Sequence, residues 1–180
     1  MEAPAGDPLV QNLADGREGA IADAYDRFGP ALFRVAVTLL GARDRAEDAV
    51  QEVFLGLIRA RAGVAGVEDL RAYLFTALYR VAAKLRARSA RERAVPPEDL
   101  NAVAGPDAGR PDLARSVRLE RALQALPAEQ RAVVALKIDG GLTFAEAAVC
   151  LGVSPNTAAS RYRYALEKLR AALGEAGHDP

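Results

Sequence analysis

Four polar side chains near the carboxyl end of the chain have the types and spacing needed to read nucleic-acid bases. Asn156, Ser160, Arg163 and Tyr164 follow Pro155 at helical intervals, so they would share one side of a helix. Amide, guanidinium and hydroxyl groups pair with base edges in the major groove. The predicted contact set is completed by four neighbours: Ser154, Thr157, Arg161 and Lys168. This pattern predicts recognition of duplex DNA.

Bond-making chemistry has no comparable candidates. The chain contains one Cys and one His, too few for a disulfide framework or a Cys/His metal cluster. No Ser/His/Asp set, phosphate loop or paired-carboxylate pocket is evident. Cys150 is interpreted as a small buried hydrophobe and His178 as a tail residue without a specific role. We therefore predict no catalytic residue, no metal and no cofactor, and a protein that is not an enzyme.

The elements that would position the DNA-reading residues are two short helices joined by a tight turn. Thr143 and Glu146 have the spacing of a capping box, which begins a helix. Gly152 permits the turn, and Ser154 with Pro155 begins the second helix. This layout predicts a helix-turn-helix, whose second helix enters the major groove. The structural alternative is an ordinary helical hairpin with a solvated polar face.

A second cluster combines aromatic and basic residues in a predicted helix from about Glu68 to Arg91. Cations bind phosphates and aromatic rings stack on unpaired bases. The candidate residues are Arg71, Tyr73, Thr76, Tyr79, Arg80, Lys84, Arg86 and Arg88. The alternative is that the rings fill a core, which we expect for Phe75, and that the basic run is a solvated helix end.

Charge is separated along the chain although 24 acidic residues balance 24 Lys and Arg residues. The segment before residue 59 contains ten acidic and five basic residues, whereas residues 71–93 contain seven basic residues and one acid.

A helix from about Asp44 to Arg59 should bury one face. That face comprises Ala46, Ala49, Val50, Val53, Phe54, Leu57 and Ile58. Its opposite stripe is predicted to bind a protein partner: Asp48, Gln51, Glu52 and Leu55. The alternative is that a lone exposed Leu has no role.

Helical periodicity on both sides of a Pro- and Gly-containing stretch predicts an all-α protein with two small domains. Residues 1–93 form the first domain, 94–112 a flexible linker and 113–180 the second, which contains the helix-turn-helix. Within the first domain, Gly29-Pro30 is expected to break one helix and begin the next. Gly41 is expected to end that second helix.

No apolar stretch approaches the ~20 residues that span a bilayer, and no secretion signal is evident. We therefore predict a cytoplasmic protein without membrane insertion.

The ordered set of segments resembles one family. These segments are Ala46-Glu-Asp-Ala-Val-Gln-Glu-Val-Phe-Leu55, Leu70-Arg-Ala-Tyr-Leu-Phe-Thr76, a basic helix end, a linker, Ala125-Leu-Pro-Ala-Glu-Gln-Arg131 and the helix-turn-helix. In this order they are similar to the extracytoplasmic-function (ECF) group of bacterial RNA polymerase sigma factors. The resemblance covers about Arg17 to Leu173.

The resemblance implies a promoter-specificity subunit that binds core RNA polymerase. Asp48, Gln51, Glu52 and Leu55 would bind the β′ clamp helices, and residues 61–88 would melt and read the −10 element. The second domain would read the −35 element through the helix beginning at Pro155 and contact the β flap. Acids of the linker would follow the RNA path, and an anti-sigma factor is a further candidate partner.

The chain departs from the family pattern at several positions. Tyr79-Arg80 stands where an Arg-Asn pair is common, and Lys84 stands where an Asp is common. Ala158 and Ala159 replace the usual Val and basic residue, which puts one phosphate contact in doubt. Two alternatives stay open: a free-standing helix-turn-helix regulator, and an interaction adaptor whose DNA-binding motif has decayed.

Overall fold

The structure is a computed structural model that describes residues 7–93 and 111–174. Within these ranges every regular element is a helix, which confirms the all-α prediction. No helix in the described ranges is both long enough and apolar enough to cross a membrane.

Residues 7–93 fold into five helices. They are α1 Pro8–Ala14, α2 Ala20–Leu40, α3 Arg43–Arg59, α4 Arg61–Val64 and α5 Leu70–Arg93. Asp7 caps α1 through a 3.0 Å bond from the Leu9 N–H, and Asp69 accepts a 3.0 Å bond from the Ala72 N–H at the start of α5. Gly41 ends α2 in the left-handed conformation with φ 69°, as the sequence predicts. Buried side chains of α2, α3 and α5 form the centre of this module.

The predicted break at Gly29-Pro30 is wrong. Helix α2 runs through Pro30 as one element of 21 residues. A proline inside a helix removes an N–H donor and costs about 3 kcal/mol. Phe28 and Leu32 are both buried in the core, so packing along the length of the helix outweighs the local penalty.

Residues 111–174 fold into four helices. Helix α6 Pro111–Ala125 is followed by α7 Ala128–Val134, which continues as a π-helical turn over Ala135–Asp139. Helices α8 Phe144–Leu151 and α9 Pro155–Gly174 complete this module. Helix α6 includes the last two residues of the predicted linker, and the rest of the linker lies outside the described residues. Ala148 and Ala158 are almost completely buried where α8 and α9 pack together.

The two modules share one hydrophobic core. Phe75 of α5, which is 1% exposed, belongs to the same buried cluster as Leu136, Leu142 and Cys150 of the second module. Gly140 allows this close approach, because a Cβ at this position would lie 2.7 Å from the Leu136 carbonyl oxygen and 3.2 Å from the Phe75 ring. The second module is therefore packed directly against α2 and α5.

Candidate nucleic-acid interface

The turn between α8 and α9 has the hydrogen bonds that its sequence predicts. The Glu146 N–H donates to Thr143 Oγ1 at 3.2 Å, and Glu146 Oε2 accepts from the Thr143 N–H at 2.6 Å. Hydrogen bonds of the Glu146 carboxylate with the Thr143 side chain and then with its backbone are the main causes of the lowered pKa of Glu146. Gly152 takes a left-handed conformation with φ 65°, and the Thr157 N–H donates to Ser154 Oγ at 3.1 Å. The helix-turn-helix geometry therefore follows from local capping.

Helix α9 exposes one polar face and buries the other. Ala165 and Leu169 are buried against α6 and α7, while Asn156, Arg163 and Lys168 are exposed. Tyr164 is 49% exposed, and its ring centroid lies 5.2 Å from the Arg163 guanidinium carbon. The exposed side chains supply polar groups of suitable chemistry for a major groove.

The other predicted α9 residues are less accessible. Arg161 makes an ion pair with Glu129 of α7, with Nη2 and Oε2 2.9 Å apart. Ser160 and Thr157 are half-buried, and Ser154 is exposed but committed to capping the helix. Any DNA contact by Arg161 would have to replace or share its bond to Glu129.

The predicted DNA-reading residues of α5 point in three directions. Tyr73, Thr76 and Arg80 line a shallow pocket beside Val149 of α8. Thr76 Oγ1 donates to the Ala72 carbonyl at 2.7 Å, and Tyr73 packs partly against the core. The structure therefore places these three residues beside the second module.

Two further surfaces of α5 carry the other candidates. Tyr79 and Arg86 face a cleft toward α6 and α7, whereas Lys84 and Arg88 line a different pocket. The acids Asp48 and Glu52 of α3 line that second pocket with them. The eight α5 candidates are thus not brought together on one face in this arrangement of the modules.

Arg71 contributes to the contact between modules. Its Nη2 donates to the Gly140 carbonyl, and its Nη1 lies 3.5 Å from Glu146 Oε1. Cys150 Sγ lies 3.7 Å from the Ala72 carbonyl oxygen on the same side of α5. Burial raises the pKa of the Cys150 thiol, outweighing a hydrogen bond with Thr76 that acts in the opposite direction. The first turns of α5 are therefore held against α8 and the loop before it.

The acidic stripe of α3 is exposed as predicted. Asp48, Gln51 and Glu52 face solvent, and Leu55 is 39% exposed. Glu52 Oε1 lies 3.7 Å from Arg59 Nη1, an exposed pair that contributes little to stability. The prediction that Ile58 is buried is wrong, because this side chain is 44% exposed. Leu57 in the same turn is 1% exposed, whereas Ile58 lies one helical turn from Leu55 and lines the same open groove, so Ile58 marks the border of the buried face.

An apolar groove of about 610 Å³ adjoins this stripe along α2 and α3. Gln51 and Leu55 form one side of the groove together with Ile58, and Tyr25 lies across from them. The Tyr25 and Phe54 ring centroids are 5.1 Å apart. An exposed apolar groove bordered by polar residues is typical of a protein-binding surface.

Sequence reasoning missed the polar contacts between the modules. Thr38 Oγ1 donates to Asp139 Oδ2 at 2.7 Å, and Gln124 Nε2 donates to the Thr38 carbonyl at 3.0 Å. Arg34 Nη2 reaches the Asp139 carbonyl at 3.5 Å. These partners are separated by 86 to 105 positions in the chain, so helical periodicity has no bearing on their pairing. The Gly140-Gly141 pair is the one local signal of a close approach in this region.

No group of three or more His, Cys, Asp or Glu side chains is placed to hold a metal in the portions that the structure describes.

Two family matches cover most of the two modules. Residues 24–92 match "Sigma-70 region 2", and residues 116–169 match "Sigma-70, region 4". The chain is 35% identical to the ECF RNA polymerase sigma factor SigL of Mycobacterium tuberculosis over 177 residues, covering 93% of this chain and 97% of SigL. It is 31% identical to the ECF sigma factor RpoE of Cereibacter sphaeroides, covering 90% of this chain and 91% of RpoE.

Two solved structures share the arrangement of helices. CnrH, in complex with the cytosolic domain of CnrY, superposes with a TM-score of 0.73 at 23% identity, covering 93% of this chain and 96% of CnrH. RpoE of Bartonella quintana, in complex with the anti-sigma factor NepR, superposes with a TM-score of 0.69 at 26% identity, covering 87% of this chain and 98% of RpoE. With both sigma regions matched in order and relatives aligned over nearly their whole length, the chain belongs to the extracytoplasmic-function family of RNA polymerase sigma factors, the subunits that bind core polymerase and direct it to promoters.

Proposed function

We propose that the two modules divide promoter recognition between them. Residues 1–93 bind core polymerase and read the melted −10 element, and residues 113–180 read the −35 element as duplex DNA. The observation that carries the second role is the exposed polar face of α9 behind a fully capped turn. Asn156, Arg163, Tyr164 and Lys168 supply its accessible base and phosphate contacts.

The first module reads single-stranded bases through α5 and binds the polymerase β′ clamp through α3. Asp48, Gln51, Glu52 and Leu55 are accessible for clamp binding without rearrangement. Lys84, Arg88 and Arg80 are also exposed, whereas Arg71 and Thr76 become available when the second module moves away from α5. Promoter binding therefore requires the modules to separate.

An anti-sigma factor is a further partner of this chain. Support comes from a relative of similar fold, RpoE of Bartonella quintana, which was solved with the anti-sigma factor NepR. The groove beside the acidic stripe offers such a partner an apolar surface adjoining Gln51 and Leu55. A partner bound there would compete with polymerase for the same residues.

The chain acts in the cytoplasm, where its polymerase is, and it performs no catalysis of its own. It needs no metal or cofactor for this role. Four linker acids are predicted from the family resemblance to lie beside the RNA path: Glu98, Asp99, Asp107 and Asp112. The first three lie outside the described residues, and Asp112 belongs to the first turn of α6.

Run-off transcription with purified core polymerase tests the proposal. A linear template carrying promoters selected by the holoenzyme should yield a defined transcript with this chain and none with core polymerase alone. A variant with Asn156→Ala and Arg163→Ala, both exposed on α9, should lose transcription from promoters that depend on the −35 element. Duplex binding by the chain without any stimulation of polymerase would instead indicate a free-standing regulator.

A further inference from the structure

A cleft between the two modules is lined by three arginine side chains and one carboxylate. Its volume is about 760 Å³, with α2, α3 and α5 on one side and α6 and α7 on the other. The side chains that give the cleft its character are Arg45, Tyr79, Arg86, Gln124, Glu129 and Arg131.

The acid in this lining is already paired. Glu129 Oε2 lies 2.9 Å from Arg161 Nη2. Within residues 7–93 and 111–174, no carboxylate makes an ion pair with Arg45, Arg86 or Arg131. Three guanidinium groups therefore line one cleft without a counter-ion from the described chain.

Arg131 is the arginine of this cleft whose burial most clearly calls for an anionic partner. The residue is 6% exposed, and its Nη1 donates to the Gln124 carbonyl at 2.7 Å. Its Nε is buried and has no hydrogen-bond partner in the described residues. Burial is the main cause of the lowered pKa of Arg131, and the charge of Arg86 lowers it further. A buried charge is costly unless it is paired, so an anion between Arg86 and Arg131 would offset both penalties.

We propose that this cleft binds a small phosphate-bearing molecule, with Arg45, Arg86 and Arg131 as its anion-binding groups. Guanidinium groups match the geometry of phosphate oxygens and form charge-assisted hydrogen bonds with them. The Tyr79 ring provides an adjacent surface for the remainder of the molecule. The cleft volume lies in the range of roughly 300–1,000 Å³ that is typical of small-ligand pockets, and its position between packed helices excludes a nucleic-acid duplex.

The ligand has a defined effect on the arrangement of the chain. Arg45 and Arg86 belong to the first module, whereas Arg131 belongs to the second. A molecule that binds both stabilises the packed state relative to the separated state. The ligand therefore opposes the separation that exposes the first turns of α5.

Calorimetric titration of the full-length chain with pyrophosphate, and separately with inorganic phosphate, tests this proposal. Sodium chloride at the same ionic strength serves as the reference anion. We expect the titration to show saturable binding of one pyrophosphate per chain. Thermal unfolding should show that pyrophosphate raises the Tm, whereas chloride does not. Arg86→Gln and Arg45→Gln should each weaken binding about tenfold, the loss typical of one charge-assisted hydrogen bond.

Arg170→Gln is the matched control, because Arg170 is exposed on α9 away from the cleft. The Arg170→Gln variant should bind pyrophosphate with the same affinity as the unmodified chain. Arg86→Gln and Arg45→Gln keep the test valid even if replacement of the buried Arg131 prevents folding. Binding heats equal to those of chloride, or unchanged affinity in folded Arg86→Gln, would overturn the proposal. The titration contains neither polymerase nor promoter, so its outcome is independent of the sigma-factor role.

Discussion

At the residue scale, Arg163 is the exposed cation at the centre of the polar face of α9, beside the Tyr164 ring. We expect Arg163→Ala to weaken binding to a −35 duplex by about 1–3 kcal/mol and to relax base choice at one position. Competition binding against single-base variants at two salt concentrations measures both effects. The control is Arg170→Ala, which removes an exposed cation from the same helix.

The salt dependence of DNA binding shows whether Arg163 contacts a base or only a phosphate. If Arg163 touches only phosphate, all sequences weaken about equally and the salt slope falls. Unchanged affinity and unchanged base choice would show that Arg163 does not face the DNA.

Glu146 predicts a pH dependence of stability. Hydrogen bonds from Thr143 lower its pKa below the ordinary value of 4.5. A group with a lowered folded-state pKa stabilises the native state above its unfolded pKa and loses that contribution as the pH falls through its folded-state pKa. Urea unfolding at pH 7 should show Glu146→Gln less stable than the unmodified chain, and the difference should shrink below pH 4.5.

Glu167→Gln controls for the general loss of an acid, because Glu167 is exposed within α9 and takes no part in a capping box. A stability difference for Glu146→Gln that stays constant across this pH range would contradict the assigned role of the carboxylate.

At the element scale, α3 separates its functions between two faces. One face supplies buried residues to the core, and the other presents the acidic stripe to solvent. Asp48→Lys with Glu52→Lys should therefore leave the fold intact and weaken binding to core polymerase, because like charges would replace opposite ones at the clamp. Pull-down with core polymerase, together with circular dichroism, measures binding and folding.

Asp23→Lys with Asp26→Lys reverses the same number of charges on α2, where both acids are exposed. This control should bind core polymerase normally. Normal binding by the α3 double variant as well would exclude the stripe from the polymerase contact.

At the scale of the whole molecule, Cys150 reports whether the modules are packed. Its thiol is buried against α5 and has a raised pKa, so a thiol-specific reagent should react slowly with the native chain. Thr38→Val removes the donor to Asp139 across the interface. Loss of a hydrogen bond to a charged group costs about 1–3 kcal/mol, which should increase the labelling rate by about fivefold to 150-fold.

Ser116→Ala controls for loss of a hydroxyl, since Ser116 is exposed on α6. Urea midpoints for both variants show whether faster labelling reflects module separation or global unfolding. Equal labelling rates in Thr38→Val and Ser116→Ala would mean that the Thr38 bond does not hold the modules together.

The sequence by itself was sufficient for the features that depend on neighbouring residues. The capping box at Thr143 and Glu146, the left-handed Gly152 and the stripe of α3 arise from interactions within three or four positions, so helical spacing predicts them. Pro30 shows the limit of local rules, because buried residues on both sides keep α2 continuous despite the proline.

The packing of the two modules was decided by tertiary structure alone. Thr38 and Asp139 meet across 101 positions, and Arg131 becomes an unpaired charge because two modules enclose it. Periodicity assigns Arg71, Thr76 and Arg86 to one DNA-reading helix, but three-dimensional packing distributes them between an interface and a cleft. Long-range shape complementarity determines these contacts, and no pattern within a single helix encodes it.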